Sequence, residues 1–129
     1  MGACYSVELK VNVLDMLGAI KALNEHIVND TSADYGLEEY AAKGITTETF
    51  DGLMKILLAD HQQKVYIGQA GKFVVYENAF NASYGWERIM MEWFEVLAPF
   101  LANGSQMLIY PDEDYDKLVI KNGKCVQIH

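Results

Sequence analysis

The chain has 129 residues, 51% of them hydrophobic and 22% charged, which sets one domain by length and too much apolar surface for disorder. Its 18 acidic and 10 basic residues give a formal charge of −8, which disfavours direct binding to nucleic acid or to anionic membranes. No apolar run approaches the ~20 residues of a membrane span and no secretory pattern opens the chain, so a soluble, cytoplasmic protein is expected.

Ala3 to Val13 alternates apolar and polar with period two, the mark of a strand with one buried and one wet face. Such a face belongs to an antiparallel or mixed sheet covered on one side. Asp15 caps a first helix to about Val28, with Met16, Leu17, Ile20, Leu23 and Ile27 as its apolar stripe. A short helix over Asp34–Lys43 ends at Gly44, and another runs from Thr46 or Thr47 to about Asp60. Val65–Gly68 and Phe73–Phe80 read as a hairpin about Gln69-Ala70-Gly71. A polar turn, Asn78 to Gly85, leads into the most amphipathic helix, which starts at Trp86. Its apolar arc holds Trp86, Ile89, Met90, Trp93, Val96, Leu97, Phe100 and Leu101, with Pro99 bending the last turn. Met107–Tyr110 is a strand, Pro111–Asp116 an acidic loop, and Leu118–Ile128 a hairpin turning at Asn122-Gly123.

The order predicts a single α+β domain over 1–129, a two-layer sandwich. The first core elements resemble the ferredoxin-like βαββαβ pattern, with extra helices after the first helix and a C-terminal β-hairpin. That resemblance is topological and implies no activity.

Loops gathered at one pole of such a fold are the expected place for function. The candidate binding residues are Asn78, Asn81, Ser83 and Tyr84 in the turn, with Asp112, Asp114, Tyr115 and Asp116 in the acidic loop. The loop fails the calcium-hand pattern at Lys117 and Gly123, and the three histidines lack ligand spacing, so no metal or other cofactor is expected. Cys4 and Cys125 read as reduced thiols, and MGACYS matches an acylation pattern without a following basic cluster. Asp60-His61 is an adjacent acid–base pair at a helix end, where neighbouring side chains point apart, and no catalytic signature is present.

These features favour a non-enzymatic protein–protein interaction module, with a protein partner or a second copy as its target. Val65–Gly68 and Gly123–Ile128 are the expected sheet edges, and Lys121 and Lys124 blunt the second. One alternative is an acidic inhibitor or immunity-type protein that covers a basic nuclease or nucleic-acid-binding protein. Another is a small enzyme or ligand-binding domain with a cleft between sheet and helices.

Overall fold

A computed structural model describes residues 2–30, 35–62, 64–83, 85–111 and 116–128. In chain order it contains β1 (Gly2–Val11), α1 (Met16–Asn29), α2 (Leu37–Ala42), α3 (Phe50–Leu57), β2 (Tyr66–Ala70), β3 (Phe73–Ser83), α4 (Trp86–Leu97), β4 (Gln106–Pro111), β5 (Asp116–Lys121) and β6 (Lys124–Ile128). The six strands form one sheet in the order β2-β3-β1-β4-β5-β6, and every neighbouring pair is antiparallel. The fold is α+β. Among the described residues, no helix is long and apolar enough to cross a membrane.

Period-two alternation in β1 sends Tyr5, Val7, Leu9 and Val11 into the core, each almost fully buried. Their partners on the same face are Phe80, Asn78 and Tyr76 from β3 and Ile109 and Met107 from β4. Helices cover only this face. Leu23 of α1, Leu53 and Met54 of α3, and Trp93, Phe94 and Leu97 of α4 are all buried against it. Cys4 and Ser6, on the other side of β1, lie exposed, so the second face of the sheet is open.

Tyrosine hydroxyls fasten the helical layer to the sheet. Tyr5 of β1 donates to Glu87 Oε2 of α4 at 2.6 Å, and Tyr76 of β3 donates to Asp51 Oδ1 of α3 at 2.6 Å. Burial, the accepting carboxylate and its charge together push the Tyr5 hydroxyl up to about 12. Hydrogen bonds to a charged acceptor at this length are among the stronger ones.

Several boundaries differ from those read in the sequence. Helix α3 starts at Phe50, capped by Thr49, because Thr46 Oγ1 accepts from Glu48 N and holds a tight turn first. Strand β3 runs to Ser83, since β1 extends to Gly2 and supplies partners for Asn81, Ala82 and Ser83. The polar turn from Asn78 is therefore strand over most of its length. The last turn of the amphipathic helix tightens into a 3-10 helix over Ala98–Phe100 around Pro99, which lacks the N–H an α-helix would use. The Asn122-Gly123 turn has both residues at positive φ, 53° and 73°, as a two-residue hairpin with matching twist requires.

Leu9 lies at the centre of this core and is wholly buried. Leu9→Ala is expected to lower unfolding free energy by ~2–5 kcal/mol. Tyr76→Phe, which removes one hydroxyl from a carboxylate that itself reaches water, is expected to cost only about 1 kcal/mol. Chemical denaturation of both variants measures the contrast, and equal losses would contradict it.

Candidate functional site

Three chain segments converge at the end of the sheet where β1 begins. Tyr35, Gly36, Glu39 and Tyr40 lie before and within α2, Ala59, His61 and Gln62 follow α3, and Asn81, Ala82 and Trp86 join β3 to α4. Together they line a hollow of about 260 Å³. Ala59, a non-glycine residue at φ 55°, turns the chain sharply after α3, at a conformational cost of about 1 kcal/mol. Beyond that turn Asp60 accepts from Val65 N at 2.5 Å, while His61 Nδ1 pairs with the Tyr40 hydroxyl at 2.7 Å. The adjacent acid and base thus point to different partners and do not form a catalytic couple. Burial is the main reason the Tyr40 hydroxyl is pushed up to about 12.

Of the residues singled out in the sequence, Asn81 borders this hollow, and its N–H donates to Gln62 Oε1 at 2.7 Å while Gln62 Nε2 donates to its carbonyl. Asn78 is only 6% exposed, and its Nδ2 donates to the Leu58 carbonyl at 2.5 Å. It serves the junction between α3 and β3. Ser83 ends β3 and Asp116 opens β5. Tyr84, Asp112, Asp114 and Tyr115 lie outside the described residues. The pairings Gly2 with Ser83, Tyr5 with Pro111 and Ile109 with Asp116 place the described ends of the two predicted loops at the same end of the sheet.

The open face carries a second arrangement, invisible without the strand register. One row crosses all six strands as Tyr66, Glu77, Glu8, Leu108, Lys117 and Ile128. The next contains Gly68, Val75, Lys10, Gln106, Val119 and Val126. Glu8 and Glu77 stand directly opposite, at a Cβ separation of about 5 Å for such pairs. They border a groove of about 360 Å³ with Lys64, Tyr66 and Tyr110. Desolvation raises the Glu77 carboxyl above its ordinary value, and a hydrogen bond and charge repulsion from Glu8 raise it further. Alternation in β1 placed Glu8 on the wet face, but only the pairing reveals its acidic neighbour.

Lys10, Lys64, Lys117, Lys121 and Lys124 also belong to this face, five of the chain's 10 basic residues. The helical side carries exposed Glu25, Glu38, Glu39 and Glu95. Among the described residues these five lysines outnumber Glu8 and Glu77 on the open face, while exposed carboxylates outnumber bases on the helical side, so the net charge describes neither surface.

Strand β2 borders the open face and forms one edge of the sheet, with β6 forming the other. Its sequence, YIGQA, contains no charge and no proline. Tyr66 is 60% exposed and Ile67 39% exposed. The Tyr66 ring folds over Gly68, where an added Cβ would lie 2.7 Å from the hydroxyl oxygen, so a larger residue there would turn the exposed ring aside.

Asn78→Ala is expected to cost ~1–3 kcal/mol of stability, since the buried Leu58 carbonyl loses its donor; equilibrium unfolding measures it. Glu77→Gln has the opposite sign. The raised folded value penalises the native state once pH rises above the ordinary carboxyl value of 4.5, and the penalty is complete when Glu77 ionises in the fold. The glutamine variant is expected to be more stable by about 0.5 kcal/mol at pH 7 and to lose that advantage near pH 4. Thermal unfolding across that range gives the comparison, and an advantage that persists in acid would contradict it.

The chain matches no protein-family model, no curated protein and no solved structure.

Proposed function

We propose that this chain is a non-enzymatic interaction module, built on a ferredoxin-like core, that pairs with a second copy of itself through β2. The core reading is supported by β1 lying between β3 and β4, antiparallel to both, with β2 outside β3. Helices α1 and α4 pack side by side on one face, as the two crossovers of a βαββαβ chain would place them. Two free cysteines support a reducing, cytoplasmic setting.

The single observation that carries the dimer is the character of the β2 edge. An edge strand presents a row of unpaired N–H and C=O groups, and soluble proteins usually protect it with lysine, proline, a bulge or a covering element. At β6 Lys124 supplies such protection beside Lys121. At β2 the five residues carry none, and apolar surface is exposed on both sides of the strand. Antiparallel pairing of two β2 strands about Gly68 sets Tyr66 against Ala70 and Ile67 against Gln69 of the second copy. The operation is a closed two-fold, so it produces a dimer and stops. The two sheets become continuous, with their open faces on one side.

A second reading follows from the charge distribution. An acidic helical side, with Glu38 and Glu39 exposed beside the aromatic hollow, suits an inhibitor that covers a basic site on another protein.

Light scattering after size exclusion is expected to give twice the chain mass. Ile67→Lys is expected to weaken association at least tenfold without altering circular dichroism, while Lys124→Ile leaves the mass of the dimer unchanged. A monomer at millimolar concentration, or a dimer indifferent to Ile67→Lys, would remove the edge pairing and leave the acidic helical side as the better reading.

A further inference from the structure

A second site lies in the helical layer, away from β2 and independent of edge pairing. His26 sits in the last turn of α1, and Asp30 caps that helix four positions later, so both project from one side. Helix α4 lies against α1 and brings Glu92 to the same place. One ligand atom from each of His26, Asp30 and Glu92 falls within 4.8 Å of the other two. His26 Nε2 is 3.9 Å from Asp30 Oδ2, too far for a hydrogen bond. That nitrogen is buried and has no hydrogen-bond partner among the described residues. The Tyr35 hydroxyl donates to Asp30 Oδ2 at 2.6 Å and fixes the orientation of that carboxylate. Arg88 is 3.8 Å from Glu92 Oε1 at an exposed position.

A helix dipole and two carboxylates explain why a histidine is placed there, but not why its inward nitrogen is left without a partner. A hydrogen bond to Asp30 needs that gap closed by about 1 Å, and neither residue makes the move. One neutral imidazole and two carboxylates, from two packed helices, do make a common donor set for a borderline divalent cation. In a tetrahedral site at about 2.1 Å from the metal, ligand atoms are about 3.4 Å apart. Rotation of Glu92, the most exposed of the three, brings its own oxygen to that spacing, and the 3.9 Å between His26 and Asp30 must close by about 0.5 Å as both turn toward the metal. The dication would offset both negative charges and meet Nε2. Tyr35 would act as the partner that orients a ligating carboxylate.

We propose that His26, Asp30 and Glu92 bind one zinc-class divalent cation, with a water at the fourth position. That position faces a hollow of about 460 Å³, which Glu25 and Asn29 also line. Magnesium and calcium, which prefer all-oxygen ligands, are excluded by the imidazole.

The test uses the full chain, stripped with chelator and titrated calorimetrically with zinc chloride near neutral pH. One zinc per chain is expected, with a rise in melting temperature that magnesium and calcium chlorides do not reproduce. His26→Gln and Glu92→Gln are each expected to weaken zinc binding at least tenfold, and Tyr35→Phe about tenfold. Cobalt(II) added to the unmutated chain gives a readout that needs no variant: intense visible bands of a tetrahedral site are expected. Absence of stoichiometric zinc binding, binding unchanged in His26→Gln, or a weak octahedral cobalt spectrum would each overturn the proposal.

Discussion

The structure depends on the pairing of β1 with β3 over ten consecutive residues and with β4 over a further six on its other side. The strand has no freedom to slide. A slip of one residue would send Tyr5, Val7, Leu9 and Val11 to water and bring Cys4, Ser6, Glu8 and Lys10 beneath the helices. Burial of one charged side chain there without a partner would outweigh several apolar contacts. The same register fixes what faces outward, so the Glu8–Glu77 pair is a by-product of a core constraint. Its mild mutual repulsion is tolerated because both carboxyls reach water.

Polar groups then decide how the helices sit. The apolar faces of α1, α3 and α4 would pack on the sheet in several rotations, since apolar contact is not directional. Hydroxyl–carboxylate bonds from Tyr5 to Glu87 and from Tyr76 to Asp51 select one of them. Asn78 does the same for the end of α3 through the Leu58 carbonyl. Asn78, a candidate binding residue in the sequence, is thus a fastener between layers. Tyr35, whose hydroxyl meets Asp30 while its ring lies edge-on to Trp86, links α1 to the start of α4.

Where a local rule governs the outcome, the fold was legible residue by residue. Alternation located β1 and its two faces, Asp15 located the start of α1, and Asn122-Gly123 located the last hairpin. The misread boundaries lie where a distant strand, or a competing local turn, overrides a local preference. Asn81 and Ser83 prefer turns, yet the start of β1 pairs with them and makes them strand. Thr46 and Thr47 are good helix caps, yet a hydroxyl turn there delays the helix to Thr49. Site residues divide the same way. Asn81 borders the hollow, whereas Glu77 and Glu92 acquire meaning only from the strand and helix opposite them. The spacing from His26 to Asp30 was the one sequence signal for the helical cluster, and a search for paired histidines or cysteines passes over it.

Unpaired buried nitrogens separate what packing explains from what it leaves open. Trp93 Nε1 lies within the core, where the ring's apolar contacts with the sheet outweigh one unmade hydrogen bond. His26 Nε2 and Trp86 Nε1 are also without partners among the described residues, but each belongs to a side chain that lines a surface hollow. An unmade bond in the core is a fixed cost, because nothing can enter to satisfy it. Beside a hollow the same atom lies near space that a partner from solvent can reach. Such nitrogens occur in the helical layer and at its junction with β3, while the unprotected backbone lies at β2. The proposed edge pairing and the proposed cation site thus draw on different parts of one small domain, so either can be lost by mutation without dismantling the other.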